Sequence, residues 1–316
     1  MSENTRLEGR LSLRRNRMPA WSQIVHMDGW IRIGILAGLV AVAYFGEINR
    51  LRHIWTEQPD WMHGWLIPVI SLYVLHINRD HLAKVPICPS LLGVPVMLFA
   101  AAMYLGGFVM RVGYVRPFSL LFMLAGMVLL MGGWRLFRVC WFPIFLLLFA
   151  IPLPEVQYFQ ATLPLRKMVT LLSTGFLNLL PDVHATREGT VVSYIHGAMS
   201  GQLDVAEACS GMRSLMAFLA IGSIMAYLMR EKAIWHRLML LALCVPISIF
   251  CNFIRVTITS VLQVYGYRSL ATGGAHTALG LGMMVLALLL FGVANWALSA
   301  LVMEGDEPVE PDGGRA

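Results

Sequence analysis

The chain has 316 residues, of which 58% are hydrophobic and only 13% charged, and its net charge is +6. That composition excludes an ordinary water-soluble domain and calls for membrane spans of about 20 apolar residues. The positive charge does not indicate nucleic acid, because the Lys and Arg residues flank apolar runs and form no continuous basic face.

Residues 1–29 carry Arg6, Arg10, Arg14, Arg15 and Arg17 before any apolar run. They read as a basic cytoplasmic segment ahead of an uncleaved first span, not as a removable signal peptide. Hydropathy predicts eight spans, at roughly 30–46, 62–78, 91–109, 115–133, 136–153, 211–229, 237–257 and 277–302. One long connection, residues 154–210, separates the fifth from the sixth. Within it, polar residues at 157, 160, 166, 167, 170, 173, 174 and 178 recur at helical spacing. This predicts an interfacial helix from Glu155 to Leu180 with a wet face. The β-branched stretch Thr190 to Ala206, with His196-Gly197 and Ser200-Gly201, predicts a short extended or hairpin segment. After the last span, residues 304–316 form an acidic tail expected to be disordered. The expected fold is an all-α polytopic membrane protein: a bundle of about eight transmembrane helices occupying residues 30–303, with no internal repeat.

Orientation follows from the placement of positive charge. With the N-terminus inside, the inner segments hold Arg79, Lys84, Arg135, Arg138, Arg230, Lys232 and Arg237. Outer segments hold Arg50, Arg52, Arg111 and Arg116, so the bias is modest, and it puts residues 154–210 outside the cytoplasm. The sixth span begins just after Cys209, the seventh ends near Arg255 and the eighth begins near His276. An odd error in the span count upstream would flip all three together and never separate them.

Cysteines stand at 88, 140, 209, 244 and 251 with no C-x-x-C, which indicates neither a zinc site nor a dithiol redox pair. Cys209 lies at a helix start, where free N–H groups and the helix dipole favour a thiolate. It is either a nucleophile or a buried inert thiol, the usual fate of cysteine in an apolar chain. Cys88, Cys140, Cys244 and Cys251 fit the inert reading better. Arg255 follows a strongly apolar stretch, Leu238 to Ile254, and is either an anion stabiliser or a snorkelling anchor. Asn252 shares its face three residues earlier and can orient it or donate to an oxyanion. His276, after Gly273-Gly274-Ala275, can give and take protons near neutral pH. His63, His184 and His196 lie on the same side, and His63-Gly64 is the best substitute. Arg213, at i+4 from Cys209, lowers the thiol pKa or anchors its helix at the headgroups. Glu207 and Asp204 orient a histidine, pair with an arginine, or are solvated.

The run Ala206-Glu207-Ala208-Cys209-Ser210-Gly211-Met212-Arg213-Ser214-Leu215, then Asn252-x-x-Arg255-Val256, then His276, resembles the exosortase/archaeosortase family. His63-Gly64 with Pro68 and Ser71, and Ile151-Pro152-Leu153-Pro154, extend the likeness to about residues 60–290. The resemblance implies a multi-pass cysteine transpeptidase of the bacterial inner membrane, with its active site on the periplasmic side. Its substrates would be exported proteins ending in a short Pro-containing motif such as Pro-Glu-Pro, an apolar span and a basic tail. Family catalytic positions fall on Cys209, Arg255 and His276, while Asn252 and Glu207 match flanking positions. It further implies a thioester intermediate resolved by an unidentified acceptor or water, with membrane lipid around the bundle. No cofactor, metal or nucleic acid is expected. One competing class is a transporter or scaffold that binds an anionic solute through outer-face arginines, against which the polar residues gather at one face and trace no path across the membrane. A polytopic transferase or a thiol oxidoreductase is a further rival, the oxidoreductase weakened by the missing second paired cysteine.

Overall fold

A computed structural model describes residues 27–197, 199–204, 211–267 and 274–301. The basic N-terminal segment and the acidic tail lie outside these residues. The chain divides into two compact units, one ending at Tyr158 and the other beginning at Phe159.

In the first unit, α1 (Met27–Ala43) and α2 (Phe45–Glu57) meet at a 74° bend. The sequence reading ended a span at residue 46 and put a loop after it; the backbone instead stays helical and turns. A buried polar cluster sits beyond the bend. Glu47 is only 2% exposed and binds Arg116 Nη1 at 3.1 Å and Arg50 Nε at 3.5 Å. Nearby, the Tyr44 and Ser119 hydroxyls are 2.9 Å apart. One carboxylate is thus shared between two arginines.

A 3₁₀ turn (Pro59–Trp65) leads into α3 (Leu66–Ile77), followed by the short α4 (Arg79–Lys84) and by α5 (Gly93–Val109). Helix α6 (Val115–Leu146) merges the fourth and fifth expected spans, with one break at Gly133, where φ is 72° and ψ −169°. Only glycine adopts that conformation readily, and a Cβ there would run into the Cys88 carbonyl. The carbonyls freed around the break are taken up by the 88–90 segment: Cys88 N–H donates to Gly132 O at 3.3 Å and Ser90 N–H to Leu129 O at 3.2 Å.

The second unit contains the long connection and the last three helices. Helix α7 (Glu155–Leu177) begins just before the boundary and forms where the interfacial helix was expected. Its polarity matches that expectation only in part: Gln160, Lys167 and Asn178 are exposed, but other polar residues turn inward. Thr170 and Ser173 are fully buried, with Arg166 and Thr174 nearly so, while Val156, Phe159, Met168, Leu171, Leu172 and Phe176 are exposed. A 3.6-residue period reveals two faces but not which one meets the surroundings, and beside lipid the apolar face turns outward. The buried hydroxyls are used locally: Thr170 donates to Arg166 O and Thr174 to Thr170 O, both at 2.8 Å.

The expected hairpin is present as β2 (Val191–His196) and β3 (Met199–Asp204), and β1 (Val183–Glu188) adds to it, making a three-stranded antiparallel sheet in the order β1-β2-β3. The first strand falls outside the predicted stretch. Its charged residues, His184, Arg187 and Glu188, mask the period-2 signal. Val183, Ala185, Val192, Tyr194 and Leu203 pack one sheet face against Val169, Leu177, Val256 and Val264.

Helices α8 (Gly211–Leu228), α9 (Ile234–Val264) and α10 (Gly274–Leu301) complete the unit. The expected spans fall on apolar helical segments, the fourth and fifth sharing α6, and eight separate crossings are not shown. Among the described residues, three helices are long and apolar enough to cross a membrane, or four if the bent α1–α2 pair is one span. Trp61–Ile77, Gly93–Val109 and Leu215–Leu228 are shorter. The protein is mostly helical, with this one small sheet, and its apolar helices make it a multi-pass membrane protein.

Candidate active site

The register of the last three helices is set by a few contacts. Arg237 Nε donates to Ala226 O at 2.7 Å, and the Cys244 thiol to Phe218 O at 3.5 Å. Residue numbers fall on α8 as they rise on α9, so the two helices are antiparallel. Seven residues back from Phe218 is Gly211, the start of α8; seven on from Cys244 is Cys251. Gly211 is therefore level with Cys251 and Asn252, at about 1.5 Å of rise per residue on each helix. Between α9 and α10, His236 Nε2 lies 3.0 Å from Asn295 Oδ1, and Arg255 Nη2 lies 4.0 Å from where a Cβ on Gly280 would be. That pair is antiparallel as well. Position 276 is one turn before Gly280 on the same face of α10. The start of α8, the Asn252–Arg255 turn of α9 and the start of α10 thus lie at one end of a three-helix cluster. Its core is Phe218, Cys244, Ile247, Cys251, Met283, Ala287 and Phe291.

Arg255 and Asn252 are each only 7% exposed. A guanidinium so enclosed is not a snorkelling anchor, which by definition keeps its head in the solvent. The Asn252 Oδ1 and Thr259 Oγ1 atoms are buried without a hydrogen-bond partner among the described residues. Asn252, Arg255 and Thr259 form a buried polar stripe at i, i+3 and i+7 along α9. An unfilled carboxamide acceptor beside an enclosed cation suits a ligand that brings both an N–H and a developing negative oxygen.

Cys209 and Glu207 lie outside the described residues. Arg213 and His276 fall within α8 and α10 by position, and their side chains are outside the description. Of the other cysteines, Cys140, Cys244 and Cys251 are buried and Cys88 is exposed. Cys244 has a structural role: its thiol sits between α8 and α9, against the site where Gly222 leaves room for it.

His63 belongs to the first unit. Its Nε2 lies 3.1 Å from Phe149 O, and its ring is tilted 31° to that of Trp61. Gly64 packs under the Trp55 indole, whose Nε1 donates to Ala150 O at 2.8 Å. Ser71 Oγ donates to Pro143 O at 2.6 Å. The His63-Gly64 and Ile151–Pro154 motifs, far apart in sequence, are thus tied together through the carbonyls just before Ile151. Sequence reasoning missed Gly280, the contact surface for Arg255. The signal was available, since Gly280-Leu281-Gly282 places small residues in an apolar helix, a pattern that permits close approach.

The fold and this cluster define a multi-pass helical membrane protein with a buried cationic side chain on α9, level with the starts of α8 and α10. The family model described as Transmembrane exosortase (Exosortase_EpsH) matches residues 55–293, and the chain belongs to that family. No curated protein and no solved structure matches it. Family membership makes it a membrane enzyme of the protein-sorting transpeptidase class, which acts on exported proteins carrying sorting signals.

Proposed function

We propose that the protein cleaves C-terminal sorting signals through a covalent thioester on Cys209 and transfers the product to an acceptor. The substrate presents a Pro-containing motif at the membrane surface, anchored by its own apolar span and basic tail. Cys209 Sγ bonds to the scissile carbonyl carbon while Arg255 stabilises the oxyanion. The C–N bond then breaks, and His276 protonates the leaving amine. An acceptor amine or water attacks the thioester and restores the thiol. Asn252 accepts an N–H from the bound peptide, Arg213 and Glu207 tune the thiol and the imidazole, and His63 supports the fold of the first unit.

The antiparallel register of α8, α9 and α10 carries this reading. It gathers the helix starts that follow Cys209 and contain His276 around the enclosed Arg255. We further propose eight membrane crossings within residues 30–303, in the bacterial inner membrane, with this end of the cluster on the periplasmic side. Residues 1–29 and 304–316 are then cytoplasmic extensions. The break in α6 supports the count, since non-helical Gly133 falls where the fourth and fifth spans were expected to part.

The test co-expresses a tagged exported protein bearing such a signal with wild type or Cys209→Ala. Wild type is expected to remove the C-terminal segment, and Cys209→Ala to leave it intact while accumulating in the membrane. Processing by Cys209→Ala would end the thioester mechanism.

A further inference from the structure

The two edges of the small sheet are treated differently. On the β1 side, Asn178 closes the edge: its Nδ2 donates to Ala185 O at 2.9 Å, and Ala185 N–H donates to its Oδ1 at 2.7 Å. The carboxamide thereby imitates one residue of a neighbouring strand. These bonds also fix the direction of every other backbone group. Ala185 points outward, so Tyr194 opposite it points its N–H and C=O towards β3, and Gly201 opposite Tyr194 points back. By alternation, the N–H and C=O of Ser200 and Gln202 face away from the sheet. Both residues are exposed, and no described residue pairs with those groups.

An open edge is a template for another chain, and proteins commonly blunt one with Lys, Pro or a cover. The sequence Met199-Ser200-Gly201-Gln202-Leu203-Asp204 contains neither Lys nor Pro. It is also firmly seated. The Tyr194 ring lies over Gly201, where a Cβ would stand 2.6 Å from its hydroxyl, and Leu203 shares a core with Val256, the neighbour of Arg255. Five residues after Asp204 comes Cys209, within about 18 Å even for a fully extended chain.

We propose that β3 is the substrate-docking edge. The extended segment of the exported protein beside its scissile bond adds as a fourth strand along Ser200 and Gln202, and main-chain hydrogen bonds guide it towards the Arg255 turn. Strand addition suits a sorting enzyme, because backbone pairing holds an extended peptide whatever its side chains, leaving sequence choice to the pockets at the cleavage point. This rests on the thioester reading of Cys209. The occupant is a peptide rather than a second copy of the chain, because the edge leads directly into the segment that carries the nucleophile.

Proline at an outward-facing position removes one edge donor without breaking the β2–β3 ladder. Gln202→Pro and Ser200→Pro are compared with Arg187→Pro, the same change at an outward-facing position of the Asn178-closed edge. The probe is a reporter made of an exported domain, Pro-Glu-Pro, an apolar span and a basic tail. Arg187→Pro is expected to process it like wild type, and the two β3 variants about tenfold more slowly, as for losing one or two net hydrogen bonds. A benzophenone amino acid at position 202 in the Cys209→Ala background is expected to cross-link the reporter. Equal rates for all three proline variants, or cross-linking only to a second copy of the chain, would overturn strand addition and leave the Cys209 mechanism standing. A reporter left intact by wild type would sink that mechanism and the docking edge with it.

Discussion

Arg255 shows how one residue's surroundings sharpen an ambiguous signal. From sequence it fits an anchor or a clamp equally; at 7% exposure, beside Gly280, its head is largely enclosed by protein. A clamp needs the planar fork, which lysine lacks. Arg255→Lys is therefore expected to slow processing about 10²–10³-fold, as for loss of an oxyanion donor, with normal membrane levels. A wild-type rate in Arg255→Lys would move the clamp to Arg213. Gly280 offers a second handle on the same contact. Its missing Cβ would stand 4.0 Å from Arg255 Nη2, an ordinary contact, so Gly280→Ala should process normally. Gly280→Leu should displace the guanidinium and approach the Arg255→Lys phenotype in the same reporter assay. Replacing Cys88 and Cys140 together by alanine should leave processing largely intact, since both lie in the first unit, apart from the helices of the cluster.

At the scale of the elements, the sheet depends on Asn178, which ends the α7 segment and closes β1. Asn178→Ala removes two hydrogen bonds and exposes the Ala185 backbone. The expected loss is about 1–3 kcal/mol. It should appear as faster proteolysis between residues 183 and 204 in detergent, where an unchanged cleavage rate would show that the cap contributes nothing. The helical reading of 155–180 was legible from its period. Which face is buried was not, because Thr170 and Ser173 carry the same pattern whether that face meets water or protein. β1 was illegible for a different reason: its pairing is decided by Tyr194 and Val192 across the turn, not by its own charged sequence.

Across the whole molecule, the apolar segments were legible, and α6 breaks at Gly133, where the fourth and fifth spans were expected to part. The second helix that follows α1 across a 74° bend was not legible. In the first unit, Arg50 and Arg116 share the Glu47 carboxylate. Topology is checked directly with reporter fusions. A fusion after Gly201 should report an exported location and one after Glu231 a cytoplasmic location. The opposite pattern would put Cys209 in the wrong compartment for exported substrates.

The sequence by itself determined the solvent and the family. Fifty-eight per cent hydrophobic residues in long runs leave no option but a membrane, and the Cys209, Asn252-x-x-Arg255 and His276 motifs name a chemistry through their residue types. Tertiary structure alone decided the register of α8, α9 and α10, the burial of Thr170 and Ser173 on α7, and the assignment of His63 to the Phe149 carbonyl. These depend on contacts such as Cys244 with Phe218, His236 with Asn295 and Arg255 with Gly280. Residues remote in sequence meet there, and local periodicity carries no information about which pairs will touch.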